Sequence, residues 1–368
     1  MTRAPLPDYP WDSLRPYAQK SAEHPLGVVD LSVGSPIDPT PAIIADALKH
    51  ATEAHEYPAT AGSPALRQAI VDWYQRRRGV TLESANVLPT IGSKELVALL
   101  PFLLGLGEGD AVVYPVVAYP SYAIGAALVS AEAVAEDNPE KWPANTKLVW
   151  LNSPANPTGE VLSTQQLARA VARARELGAL IVNDECYAEL GWDEPWNEAP
   201  TPCILHPDVI GADQSSVLSV YSLSKQSNLA GYRAAFIAGD AEVIAQLLKV
   251  RKHAGLMQPE PVQAAMTVAL ADDEHVSEQR ERYRRRRAVL LPALQSAGFE
   301  VLHSEAGLYL WATRGENCWQ SVDFMAELGI LVGPGEFYGD SSSEFIRLSL
   351  TATDERIDSA AQRLASQR

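Results

Sequence analysis

The sequence predicts an α/β protein: a large domain built on a mostly parallel sheet flanked by helices, with a smaller α+β domain beside it. Three observations carry this. Short apolar runs at Leu148–Leu151, Ala179–Val182 and Val217–Tyr221 lack strict alternation, the pattern of strands buried on both faces. A capped amphipathic helix separates the first two runs, so the order is strand, helix, strand. The last quarter mixes hairpin-like and helical stretches in the α+β manner.

In chain order, Ser63-Pro64 caps a helix that carries Leu66, Ile70 and Trp73, because Pro at the first helical position suits a Ser N-cap. Thr90-Ile-Gly-Ser93 opens a second helix, KELVALLPFLL. The following Gly105-Leu-Gly107-Glu-Gly109 lies between a helix and a strand, the wrong context for a dinucleotide fingerprint, and reads as a turn. Between the first two buried strands, Ser163 and Gln166 form a capping box. Leu167, Ala170, Val171, Ala174 and Leu177 make one stripe, and Gly178 stops the helix. Further on come an arginine-rich helix around Arg282–Arg287, a hairpin-like FEVLHSEAGLYLWA, a turn GPGEFYG, a strand FIRLSL and a final helix from Asp354. These set the start of the smaller domain near residue 275, and the expected division is an N-terminal segment at 1–40 that joins the small domain, a large domain at 41–274 and the small domain at 275–368.

The 368 residues are 46% hydrophobic, with 30 Lys+Arg against 46 Asp+Glu and a net charge of −16. That is too apolar for a disordered chain. An acidic surface disfavours nucleic acid and anionic membranes. The RYRRRR run lies on an amphipathic helix and reads as a solvated or salt-bridged face. Cys186, Cys203 and Cys318 form neither a disulfide framework nor a CxxC pair, and the seven histidines show no paired ligand spacing, so no metal is expected. MTRAPLPDYPWDSLRPY has no signal-peptide h-region and no stretch reaches about 18 apolar residues, so the expectation is a cytoplasmic protein.

In open α/β sheets, ligands bind beyond the carboxyl ends of the strands. Asn156, Asp184, Tyr187, Ser222 and Lys225 fall there. A loop lysine is ordinarily solvated. Lys225, however, ends a buried strand among small polar residues, where lost solvation lowers its pKa and permits a Schiff base with a carbonyl cofactor. With Ser222 and Arg233, this amine suits a phosphate-bearing aldehyde. Asp184 is either a cap or the acid that a pyridine nitrogen needs to act as an electron sink. Tyr187 and Asn156 offer donors to a phenolic oxygen, the plain alternative for Asn156 being an Asn-Pro turn. Gly92-Ser93-Lys94 opens a helix, whose free N–H groups either bind phosphate or simply start the helix.

Together, Asn156-Pro-Thr-Gly159, Asp184-Glu-Cys-Tyr187 and Ser222-Leu-Ser-Lys225 with Arg233 resemble the fold-type-I, pyridoxal-phosphate-dependent class I/II aminotransferases. Tyr57 with Gly62 upstream and Arg347 near the end fit in order, and the resemblance covers essentially the whole chain. It implies an aspartate-aminotransferase-like fold and pyridoxal 5'-phosphate as cofactor. Lys225 would be the Schiff-base lysine and proton shuttle, Asp184 the partner of the pyridine nitrogen, and Tyr187 and Asn156 the ligands of the phenolic oxygen. Tyr119 would stack on the ring. Ser93, Lys94, Ser222 and Arg233 would hold the phosphate, joined by Tyr57 from the second subunit of a homodimer. Arg347 would clamp the substrate α-carboxylate, and Gly34 would bring backbone close to the same group. Lys94 departs from the small residue or Thr of many relatives, and either touches the phosphate or points to solvent.

The strings PDYPWDSL, SLSKQSNLAGYRAAF, EAGLYLWATR and GILVGPGEFYG are further similar to the actinobacterial-type N-succinyldiaminopimelate aminotransferases. That narrower resemblance implies small-molecule substrates, glutamate as donor and N-succinyl-2-amino-6-oxopimelate as acceptor. Alternatives are transamination of another amino acid, or a C–S lyase. A non-enzymatic regulator on the same scaffold usually carries a DNA-binding domain, for which this chain has no spare segment. Ser222-x-x-Lys225 also matches the S-x-x-K of penicillin-recognising serine enzymes, but no KTG element accompanies it and the Ser ends a strand.

Overall fold

A computed structural model describes residues 6–366, so residues 1–5 of the expected N-terminal segment and 367–368 of the expected small domain lie outside the described residues. The strands are β1 (Val29–Asp30), β2 (Val87–Ile91), β3 (Ala111–Tyr114), β4 (Glu132–Ala135), β5 (Thr146–Asn152), β6 (Leu180–Asp184), β7 (Val217–Ser222), β8 (Ala234–Gly239), β9 (Glu300–Leu302), β10 (Tyr309–Thr313), β11 (Ile330–Leu331), β12 (Gly333–Pro334) and β13 (Phe345–Ser349).

The large sheet has seven strands in the order β2-β8-β7-β6-β5-β3-β4. The expected buried runs are β5, β6 and β7, which pair in parallel. Their side chains alternate between two cores. Val149 and Ile181 join Leu66, Ile70 and Trp73 on one face. Leu148, Trp150, Val182 and Leu218 join Leu96, Val97 and Leu100 on the other. Each buried Leu, Val or Ile contributes about 1.5–3 kcal/mol relative to exposure, which is why these strands tolerate no polar face.

The helix at Thr164–Leu177 begins at Ser163 with both halves of the capping box formed, and ends at Gly178, whose φ of 64° is left-handed. The helix at Pro64–Trp73 starts at Ser63, whose side chain accepts the Leu66 N–H. KELVALLPFLL lies in Ser93–Leu103 up to its last residue, Leu104, which is the C-cap, with Pro101 inside the helix. Several strands were not expected, among them β2, β4 and β8, and β8 runs antiparallel to both β2 and β7. Its sequence, AAFIAG, is a continuous apolar run, and such a run carries no information about direction.

In the smaller sheet, β12-β13-β10-β9, the expected hairpin places Trp311 opposite Leu302. GPGEFYG is only partly a turn, since Gly333–Pro334 pairs with β13 before a 3-10 turn over Gly335–Tyr338. The N-terminal segment joins this domain in two ways. β1 pairs in parallel with β11. Asp38 accepts from Arg286 at 2.7 Å and Gln279 at 2.8 Å, both on the helix Glu274–Ser296. The arginine run on that helix is salt-bridged, as its amphipathic pattern implied, with Arg286 also 2.6 Å from Asp354 and Arg287 2.6 Å from Asp193. Among the described residues no helix is long and apolar enough to cross a membrane.

Candidate active site

β3, β5, β6 and β7 run parallel, so their carboxyl ends share one edge of the sheet. A cavity of about 270 Å³ opens there. Every residue singled out from the sequence lines it except Tyr57: Gly34, Ser93, Lys94, Tyr119, Asn156, Asp184, Tyr187, Ser222, Lys225, Arg233 and Arg347. Tyr57 stands 96% exposed on the surface of this chain.

Lys225 lies in the short helix Leu223–Gln226 that Ser222 caps. Its Nζ donates to the Gly34 carbonyl. Burial lowers its pKa, with Arg347 and Arg233 adding to the effect against an opposing pull from Tyr309. Asp184 is the last residue of β6. Its Oδ2 accepts from the Tyr122 hydroxyl at 3.1 Å and its Oδ1 from the Cys186 N–H at 3.2 Å. Burial raises its pKa despite these bonds. Asn152, at the end of β5, donates to the Asp184 carbonyl at 2.9 Å and accepts the Asn156 N–H at 2.8 Å, so one amide fixes both strand ends.

Arg347 on β13 reaches in from the small domain. It donates to Asn156 Oδ1 at 2.9 Å and to the Ser32 carbonyl at 2.7 Å, and lies 3.9 Å over the Tyr309 ring. Its Nε has no partner. Tyr309 in turn meets the Tyr187 hydroxyl at 3.3 Å. Burial would raise the Tyr309 pKa, but the Arg347 and Lys225 charges bring it below the ordinary tyrosine value.

Arg233 holds a left-handed backbone (φ 56°), and its carbonyl accepts from Gln258 at 2.7 Å. Its side chain lies against Gly92, where an added Cβ would collide with Nη2. Gly92 precedes Ser93 at the start of the helix Ser93–Leu103 and makes no side-chain cap there, so the first N–H groups are open to an anion. The Lys94 ammonium is 5.7 Å from the centroids of both Tyr9 and Tyr119.

Charge summarises the chemistry. Lys94, Lys225, Arg233 and Arg347 line the cavity, and Asp184 is its one carboxylate. None of the four cations forms an ion pair among the described residues. A buried guanidinium without a counter-ion is costly, so the arrangement calls for anionic ligands. Several contributors were not read from the sequence. Tyr122, Asn152, Cys186, Ser224 and Tyr309 line the cavity, as do Tyr9 and Trp11. Tyr9, Trp11, Ser224 and Tyr309 lie within the strings that carried the resemblance, which was the available signal. Tyr122 had none.

A two-domain α/β fold whose sheet edge gathers a desolvated lysine, a buried acid and unpaired cations is a site suited to anionic ligands. The chain belongs to the aminotransferase class I and II family, whose model matches residues 27–364. It is 52% identical to the 4-dedimethylamino-4-oxo-anhydrotetracycline transaminase OxyQ of Streptomyces rimosus, over 98% of this chain and 99% of the relative. It is 53% identical to the "probable aminotransferase Rv1178" of Mycobacterium tuberculosis, over 98% and 86%. A solved "probable N-succinyldiaminopimelate aminotransferase" from Thermus thermophilus matches with a TM-score of 0.87 and 28% identity, over 98% of this chain and all of that one. The family depends on pyridoxal 5'-phosphate, and the residues present fit it. Unpaired Arg233 beside an open helix N-terminus suits a phosphate. Asp184, buried without a cation, suits a protonated ring nitrogen, and the desolvated Lys225 amine suits an aldehyde.

Proposed function

We propose that this aminotransferase moves an amino group from glutamate to N-succinyl-2-amino-6-oxopimelate, as a cytoplasmic homodimer. The observation that carries the reading is the set of unpaired cations in a pocket with one carboxylate, on a chain whose net charge is −16. Both proposed substrates carry more than one carboxylate. When bound, the cofactor supplies an aldehyde for the amino group and a protonated ring that withdraws electrons.

Lys225 Nζ would hold the cofactor through its aldehyde carbon and, once displaced by the substrate amine, would take the substrate Cα proton and deliver it to that former aldehyde carbon, as a positioned general base and acid. Its lowered pKa favours the neutral form this requires. Asp184 keeps the ring nitrogen protonated, with Tyr122 and Asn152 as positioning residues. Tyr187 and Asn156 would hold the phenolic oxygen, and Tyr119 would stack on the ring. Ser93, the Lys94 N–H, Ser222 and Arg233 hold the phosphate, with Tyr57 of a second copy completing it. Arg347 and the Gly34 backbone orient the α-carboxylate. The Lys94 ammonium, bracketed by Tyr9 and Tyr119, serves a distal carboxylate. The division at residues 1–40, 41–274 and 275–368 is proposed on the pairing of β1 with β11 and the Asp38–Arg286 contact.

A second reading rests on the 52% identity to a transaminase named for a tetracyclic ketone. In it Tyr9, Trp11 and Tyr119 at the cavity pack a polycyclic acceptor. Comparing kcat/KM for glutamate with a panel of dicarboxylic and polycyclic oxo compounds separates the two. A preference for polycyclic acceptors would overturn the first. Release of ammonia and free keto acid from a sulfur amino acid, with no new amino acid formed, would favour a C–S lyase. Borohydride reduction of the holoenzyme followed by peptide mapping should label Lys225, and a label on another lysine would refute the assignment.

A further inference from the structure

A second cavity, of about 370 Å³, lies at the seam between the domains and shares Asn152 with the catalytic pocket. It does not arise from loosely docked domains. On one side the Ser304 N–H donates to the Thr158 carbonyl at 2.8 Å and the Ala306 N–H to the Gly159 carbonyl at 3.1 Å. On another the Ala118 N–H donates to the Tyr338 carbonyl at 2.9 Å. The contact is close enough that a Cβ on Gly339 would lie 2.5 Å from the Val116 carbonyl oxygen. The cavity is a cleft open to solvent at Asp137, His303 and Ser341, with fixed walls on both sides, so a ligand could enter it without parting the domains.

The lining identifies the chemistry. Trp142, Trp150, Trp311 and Phe345 supply aromatic surface, with the last two stacked at 4.9 Å. Glu136, Asp137 and Glu160 supply carboxylates, and no lysine or arginine lines the cavity. None of the three forms an ion pair among the described residues. Two buried polar atoms, Trp150 Nε1 and Ser342 Oγ, have no hydrogen-bond partner. Aromatic faces and unpaired carboxylates attract a cation, and an unpartnered indole N–H requires an acceptor.

We propose that this seam is a second ligand site, taking a small organic cation that carries one hydrogen-bond-accepting oxygen. The ligand would sit one residue from the chemistry along two routes. The Trp150 ring packs 5.2 Å from Tyr122, whose hydroxyl donates to Asp184. The Asn152 side chain holds the Asn156 N–H. The site is separate from the catalytic pocket, so its ligand and 2-oxoglutarate would bind together.

Choline is the probe, because its quaternary nitrogen cannot react with an aldehyde and its hydroxyl offers the acceptor. Titration calorimetry on the holoenzyme should give saturable one-site binding of choline. Its uncharged isostere 3,3-dimethylbutan-1-ol should bind at least about tenfold more weakly. The double variant Glu136→Gln, Glu160→Gln alters half-buried side chains outside the catalytic pocket, so it should fold and keep its basal turnover. It should lose choline affinity about tenfold while its affinity for the isostere is unchanged. Saturating 2-oxoglutarate should not displace choline. The proposal is overturned by absence of saturable binding, by equal binding of the isostere, by full affinity in the double variant, or by displacement with 2-oxoglutarate.

Discussion

At the scale of single residues, the site depends on charges left without partners. Asp184 is buried against the Tyr122 hydroxyl and the Cys186 N–H and thiol, without a cation, and its pKa is raised by burial. A carboxyl whose folded pKa lies above its unfolded value contributes to stability below the unfolded pKa, and that contribution is lost as pH rises through the folded one. As pH rises from acid, Asp184 therefore makes the cofactor-free protein less stable than an uncharged residue at that position would. Asp184→Asn should raise the apo-protein Tm while lowering turnover by about 10²–10³-fold, the range for removing one pre-organised charge partner. Thermal melts and steady-state rates on the same preparations test this, and an unchanged or lower apo Tm would count against it. Lys225 has the opposite shift, downward through burial. Its neutral amine is present at lower pH than in a free lysine. Recombination of apo-protein with pyridoxal phosphate should therefore rise with pH and level off below about 10.4, the ordinary lysine value. A limb that keeps climbing through that value would show an unperturbed amine.

At the scale of elements, the legible parts of the site were those written contiguously in the chain. Ser222 to Lys225 follows a buried strand directly, as Asp184 and Asn156 do, so a strand prediction also placed the chemistry. The missed parts are contacts made through space. Tyr122 lies on the helix Ser121–Leu128, 62 residues before the Asp184 it contacts. The antiparallel sense of β8 was equally hidden, because pairing direction follows from tertiary packing and leaves no periodic trace. Gly92 shows how an element junction carries function. Its φ of 78° is positive, and a Cβ would meet only the far end of the Arg233 side chain. Gly92→Ala should fold at a cost of about 1–3 kcal/mol for a positive-φ, extended backbone that is essentially confined to glycine. The displaced guanidinium should reduce pyridoxal phosphate affinity by about tenfold, the effect of one lost charge-assisted hydrogen bond. Fluorescence titration of the apo-protein reads this, and wild-type affinity would mean that Arg233 does not hold the phosphate.

At the scale of the whole molecule, the global and local charges have opposite signs. The chain carries −16 overall, yet the cavity is lined by Lys94, Lys225, Arg233 and Arg347 against Asp184 alone. A dicarboxylate approaching from solvent first meets the acidic surface, where repulsion is screened over a Debye length of about 10 Å at 0.1 M salt. Buried Arg347 and half-buried Lys225 and Arg233 are screened much less than exposed Lys94. Raising ionic strength should therefore remove the approach penalty while leaving most of the pocket attraction intact. For a dianionic substrate, kcat/KM should increase as salt rises from about 10 mM to about 150 mM, where the Debye length falls from about 30 Å to about 8 Å. An uncharged or monoanionic substrate should respond much less. A steady decline with salt for the dianion would mean that steering toward the site is attractive, and that the acidic residues lie away from its entrance.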